Sequence, residues 1–373
     1  MIYFDNAATS FPKPRCVYEK LEECIKSYCG NPGRSSHALS RRSDEEIYNT
    51  RELVSRLLGL HAPERVVFTQ NATHALNLAI KTTVREGSHV IISDIEHNSV
   101  IRPLNAICKN KNVSYSVFSL LGDVRKNLLS AIKPNTETVI CNLLSNVNGE
   151  LLDMKTVSDV CREKSLKFIA DASQKIGHID INLDKTPCDI LCAPGHKGLF
   201  GIQGAGFAVI CDNLTRDSFI EGGSGTDSNK ADMPLYLPER YEAGTLPTPS
   251  IVTLGAGIDF IHSVGIEEIY KKINFLTELL VSELESLKIV SYISGKNGVI
   301  SFTLNKIPPM RVAQLLDDNG ICVRAGLHCA PLIHKRLGTD KNGSVRISLS
   351  FFNTKNEIYA FLKILKEIIF RYV

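Results

Sequence analysis

Short apolar runs alternate with amphipathic segments along most of this chain, and that alternation limits the fold more than any single residue does. "ERVVFTQ", "SHVIISD", "TETVICNLLS", "LKFIADAS" and "CDILCAPGHK" each read as a strand ending in polar or small residues. Between them, "NATHALNLAIKTTV" and "DMKTVSDVCREKS" carry helical periodicity. Buried strands alternating with helices imply an α/β fold, with a mainly parallel sheet covered on both faces. In such sheets ligands collect at the carboxyl ends of the strands, where the polar residues fall here.

The rhythm changes after "RYEAGTLPTPS", where Gly244, Pro247 and Pro249 mark a break and a long helical pattern begins near Ile251. "GVISFTL" and "SVRISLSF" read as strands of a smaller α+β unit. The tail "NEIYAFLKILKEIIF" places Ile358, Phe361, Leu362 and Leu365 on one helical face. The expected division is a large domain over roughly residues 13–255 and a small C-terminal domain over 256–373, with residues 1–12 packing against the latter. A formal charge of +3 gives no electrostatic case for nucleic acid or an anionic membrane. No apolar stretch approaches the roughly 20 residues that span a bilayer. The start "MIYFDNAATS" lacks a basic region followed by an apolar run. Eleven irregularly spaced cysteines fit free thiols in a reducing, cytoplasmic setting.

Two strand ends carry the most telling residues. Asp171 closes "LKFIAD", and the next apolar run delivers His196 and Lys197. On adjacent strands this acid and amine face one crevice. A carboxylate keeps a pyridine nitrogen protonated and a lysine holds an aldehyde as a Schiff base, so the pair suits pyridoxal 5'-phosphate. Taken singly, Asp171 also reads as a turn cap and Lys197 as a surface lysine. Asn71, Ala72 and Thr73 open a helix after a strand and offer an anion site of free N–H groups, or an ordinary N-cap. No nucleotide-binding glycine motif is present.

Taken in order, "YFDNAATS", "GNPGRSSH", "EHNS", "LLSNVNGELLD", "DASQ", "GHK", "YEAGT" and "RAGLHCA" resemble the class V aminotransferase-type enzymes, and more narrowly the cysteine desulfurases. The resemblance spans nearly the whole chain. It implies a fold-type I homodimer with a seven-stranded, mainly parallel sheet in the large domain. It also implies that Lys197 carries the cofactor aldehyde and moves protons at the substrate carbon. Asp171 would pair with the ring nitrogen, Gln174 would donate to the ring hydroxyl oxygen, and His97 would stack on the ring and assist proton transfer. Ala72, Thr73 and His196 would serve the phosphate, joined by Thr245 of the partner subunit. Asn146 would meet the substrate carboxylate or the cofactor edge, and Arg346 would clamp that carboxylate through its planar fork. Arg324 would support the cysteine loop, and His37 belongs to the matched set.

Cys329, in "RAGLHCAP", sits beside His328 and near Arg324 on what reads as a flexible polar loop, a setting that favours a nucleophilic thiolate. The resemblance implies attack on the sulfur of L-cysteine, or of L-selenocysteine in a lyase, leaving alanine and a persulfide for an acceptor protein or small thiol. The acceptor pathway is open: iron–sulfur clusters, thiolated tRNA, a cofactor or selenium metabolism. Leu327 and Pro194 depart from the family pattern, the first where a histidine is common and the second where a phosphate-binding serine is common. The short span from Cys329 to Arg346 resembles the group II desulfurases, whereas "GNPGRSSH" resembles group I, and the chain is read as a divergent, group II-like member. The segment 221–245 is expected to line the site entrance near a dimer interface. A rival of another class is a metal or redox module on Cys188 and Cys192, spaced C-x3-C, although no second pair completes a tetrahedral set. No metal ligand is assigned.

Overall fold

The computed structural model describes residues 1–33, 36–211, 217–287 and 290–372. A short strand β1 (Ile2–Tyr3) precedes two long helices, α1 (Arg15–Ser27) and α2 (Ala38–Leu57). Seven strands then build one sheet. They are β2 (Val66–Thr69), β3 (His89–Ser93), β4 (Ser114–Phe118), β5 (Thr136–Asn142), β6 (Lys167–Asp171), β7 (Ile190–Pro194) and β8 (Gly206–Ile210). Their spatial order is β2-β8-β7-β6-β5-β3-β4, and only β8 runs antiparallel to its neighbours. The crossovers are made by α3 (Ala72–Thr83), α4 (Asn98–Asn110), α5 (Val124–Ser130) and α6 (Met154–Glu163).

Strand alternation sorts the core onto two faces. Val139, Cys141, Phe168 and Ala170 join one apolar cluster, and Ile140 and Ile169 join the other. Every residue of β3, β7 and β8 is buried, which is why these strands read as continuous apolar runs rather than alternating ones.

Two further helices, α7 (Thr248–Val264) and α8 (Ile266–Ser286), lead to a second layer. It contains β9 (Val290–Lys296), β10 (Val299–Leu304), α9 (Pro309–Asp317), β11 (Ile321–Cys322), β12 (Arg324–Gly326), α10 (Pro331–Arg336), β13 (Ser344–Ser348) and α11 (Lys355–Tyr372). Strands β12-β13-β10-β9 form an antiparallel sheet. Ile358, Phe361, Leu362 and Leu365 of α11 are buried together with Phe4 and Phe302. The N-terminus joins this layer: β1 pairs parallel with β11, and Asp5 bridges to Ser348. Among the described residues, no single helix is long and apolar enough to cross a membrane.

Candidate active site

Sheet topology brings the polar strand ends together. Asn142 of β5 pairs with Asp171 of β6, and Asp171 pairs with Cys192 of β7, five residues before Lys197. A cavity of about 90 Å3 opens there. Its floor and walls include Asp171, Gln174, His196 and Lys197 from β6 and β7, with Asn142 and Asn146 from the end of β5. His97 and Ser99 come from the start of α4, and Asn71, Ala72 and Thr73 from the start of α3. Gly198 explains how the lysine turn fits: a Cβ there would stand 2.2 Å from the Ile176 carbonyl oxygen, so only glycine lets the two segments approach.

Hydrogen bonds fix the roles of these groups. Asp171 is buried and accepts the Ser173 N–H at 2.9 Å. Burial pushes its carboxyl up, opposed by the Ser173 bond and the nearby Lys197. The Lys197 amine makes no hydrogen bond or ion pair with any described residue, and burial lowers it to about 8 despite Asp171. His97 caps α4, its Nδ1 accepting the Ser99 N–H at 3.0 Å. Burial lowers it to about 4, so it is neutral near pH 7 and carries its proton on Nε2. Ser99 Oγ shares a 2.8 Å hydrogen bond with Thr73 Oγ1, linking the two helix starts. His196 is lowered to about 4 by burial, and its Nδ1 is buried without a partner.

Cys329 is held close to this cavity. Its carbonyl oxygen accepts the Asn98 N–H at 2.7 Å, next to His97, and the His328 carbonyl accepts Asn146 Nδ2 at 2.7 Å. The Ala330 N–H closes the turn on Leu327 O at 2.9 Å. His328 and Cys329 both adopt left-handed backbone, with φ of 48° and 56°. The expectation of a loose loop therefore gives way to a pinned, tight turn. The companion expectation of a cationic neighbour changes as well: His328 is buried against Ser344 and lowered to about 2 by burial first, so it is neutral. The positive charge nearby comes from Arg324 and Arg346, which face each other across β12 and β13.

Arg346 is almost fully buried. Its Nη2 donates to Asp5 Oδ1 at 2.7 Å and its Nη1 to Asn146 O at 3.0 Å, while Nε has no partner among the described residues. Asn146 Oδ1 is likewise buried and unpartnered. Gln174 donates one amide hydrogen to Ala7 O at 2.9 Å. Thr245 and His37 are exposed and do not line this cavity; His37 caps α2 by accepting the Ser40 N–H at 3.2 Å. Arg34 and Ser35 of "GNPGRSSH" lie outside the described residues. Pro194 lines the cavity, and Leu327 is 40% exposed.

The segment 221–245 lines two separate grooves, of about 1090 Å3 and about 570 Å3, and contributes nothing to the lysine cavity. Cys188 and Cys192 fall into the two clusters on opposite faces of the sheet, with burial pushing both thiols well up, so they cannot share one metal ion. Sequence reading missed Asp5, Ser99, Asn142 and Ser173. Ser99 stands inside the quoted "EHNS" and Asn142 ends an apolar run, but nothing local to Asp5 announces an ion pair with a residue 341 positions away.

The class V aminotransferase family model matches residues 2–361. A probable cysteine desulfurase of Methanothermobacter thermautotrophicus is 31% identical, the match covering 98% of this chain and 94% of that protein. Another probable cysteine desulfurase, from Pyrococcus abyssi, is 30% identical with 99% and 94% covered. The apo structure of a cysteine desulfurase from Thermococcus onnurineus NA1 superposes with a TM-score of 0.90 at 28% identity, covering 99% of this chain and 94% of that one. The chain belongs to the class V aminotransferase family, among its cysteine desulfurases.

Proposed function

We propose that this protein is a pyridoxal 5'-phosphate-dependent desulfurase that converts L-cysteine to L-alanine and leaves the sulfur on Cys329 as a persulfide. The observation that carries this reading is the convergence of Asp171 and Lys197 at one cavity with the Cys329 turn docked beside His97. The residues present fit the cofactor. Among the described residues, Asp171 is a buried acid held by Ser173, the Lys197 amine has no partner, and His196 and Asn146 offer unpartnered polar atoms. Asp171 would hold the ring nitrogen, Gln174 the ring hydroxyl, and Ala72, Thr73 and His196 the phosphate at the start of α3. Thr245 of a second subunit would complete the phosphate site in a homodimer.

When bound, the cofactor supplies the electron sink that weakens the Cβ–S bond of the substrate. The chain's own residues do the rest. The lowered basicity of Lys197 suits it to take and return a proton at the substrate α-carbon near neutral pH. Neutral His97 holds a proton on Nε2 that it can give and recover. Arg346 and Asn146 orient the substrate carboxylate, and the charges of Arg324 and Arg346 draw that anion in. Cys329 attacks the substrate sulfur as thiolate: an S–S bond forms, the Cβ–S bond breaks, and its electron pair stays with the carbon. That carbon takes a proton and leaves as alanine. The persulfide then passes to an acceptor protein or small thiol, with iron–sulfur cluster assembly in the cytoplasm as the proposed setting. His37 is assigned a supporting place in substrate binding. We also divide the chain at about residue 255, with the Cys329 turn in the C-terminal domain.

The test records the visible absorption of the purified protein, then alanine and sulfide formation from L-cysteine, with Cys329→Ala in parallel. The expected outcome is a visible cofactor band in both proteins and loss of both products in the variant. Alanine formation unaffected by the variant would remove Cys329 from the mechanism, and absence of a band would sink the cofactor assignment.

A further inference from the structure

Arg336 lies at the end of α10, seven residues after Cys329, and its guanidinium is only 11% exposed. Nη1 donates to Asp94 Oδ1 at 2.8 Å, and Nη2 pairs with Glu150 Oε2. Both carboxylates belong to segments that shape the cavity. Asp94 follows β3 directly, three residues before His97, and is itself fixed by Ser119 Oγ at 2.6 Å. Glu150 closes the turn that carries Asn146, its carbonyl accepting the Ser145 N–H at 2.9 Å. The same two segments hold the cysteine turn, through Asn98 on Cys329 O and Asn146 on His328 O. One planar fork thus ties the helix after Cys329 to the segments bearing His97 and Asn146.

The geometry points to Arg336 as a positioning residue that docks the Cys329 turn against the cavity for sulfur capture, an assignment that rests on the desulfurase reading. A guanidinium spanning two carboxylates fixes direction as well as distance, which a point charge does not. Neither pair can be kept if α10 swings outward, so both bonds hold the helix in its docked place. Releasing the brace therefore leaves the cofactor pocket intact while the thiol loses its station. Misplacement of a reacting group by an ångström is enough to slow a step about a hundredfold.

The experiment uses the holoenzyme with Arg336→Gln and Arg336→Lys. It measures kcat and KM for alanine formation, the cofactor absorption band, and the rate of Cys329 alkylation by iodoacetamide, read by mass on its peptide. The expected result for Arg336→Gln is an unchanged band, a kcat lower by about tenfold or more, a KM within about twofold, and severalfold faster alkylation. Arg336→Lys, which keeps the charge without the fork, falls between. Loss of kcat without faster alkylation would assign Arg336 to fold maintenance and overturn the proposal, as would an unchanged kcat. Should Arg336→Gln not fold, Arg336→Lys carries the comparison with the same two outcomes. The alkylation arm needs no turnover, so a protein that makes no alanine fails the desulfurase reading while the brace is still decided by thiol exposure.

Discussion

Glu96 shows how much one buried side chain can impose on its surroundings. It stands one residue before His97, fully enclosed, with Oε1 accepting the Asn142 N–H at 2.7 Å and a bond from Ser93 Oγ, while Oε2 has no partner. Burial, the largest influence, raises it to about 8 against the hydrogen bonds that favour the charged form. The native state therefore binds more protons at this site than the unfolded chain between about pH 4.5 and about pH 8. Its contribution is fully present below that window and is lost as pH rises through it. Glu96→Gln removes the titration and keeps the shape. Urea unfolding of both proteins across this window is expected to move the stability difference toward the variant as pH rises, by on the order of 5 kcal/mol. A difference that stays constant with pH would mean that Glu96 is ionised throughout.

At the scale of elements, α7 governs the loop that presents Lys197. Gly257 packs so closely on that loop that a Cβ would lie 1.9 Å from Leu199 O. Helix propensity alone favours alanine over glycine here by up to about 1 kcal/mol. The contact decides otherwise, because the Leu199 carbonyl oxygen is backbone and cannot rotate away. Gly257→Ala is expected to destabilise the protein by about 2 kcal/mol and to weaken retention of the cofactor, measured by thermal unfolding and by dialysis followed by absorption. An increase in stability would show that α7 shifts freely and that the close approach has no hold on the lysine loop.

The whole molecule is closed by contacts between its two ends. The Asp5–Arg346 pair, the β1–β11 pairing and the Asn6 amide on Ser348 O at 2.9 Å bind the first residues to the second layer. The Ser10 N–H on His196 O, at 3.1 Å, binds the same segment to the lysine loop. The N-terminus thus bridges both layers at the site. Asp5→Ala leaves a buried guanidinium without its counter-charge and is expected to cost about 3 kcal/mol in chemical denaturation, whereas Asp5→Asn retains an acceptor and is expected to cost about 1 kcal/mol. Equal losses in the two variants would show that the charge, which both remove, and not the hydrogen-bond acceptor is what the pair supplies.

Local patterns were enough to read the sheet, its crossover helices, the buried face of α11 and the meeting of Asp171 and Lys197 at one cavity. Strand periodicity and strand-end chemistry reside in a few adjacent residues, and a parallel sheet has few ways to arrange them. The state of Cys329 was not legible. Its loop reads as loose because Gly326 and the polar residues are local signals. The hydrogen bonds that pin it come from Asn98 and Asn146, which lie 231 and 182 positions before the residues they bind, Cys329 and His328. The neutrality of His328 and the partners of Arg346 and Arg336 were hidden for the same reason. Desolvation and ion pairing depend on what the folded chain brings alongside a group, so tertiary structure alone decides which charges a site contains and where its nucleophile waits.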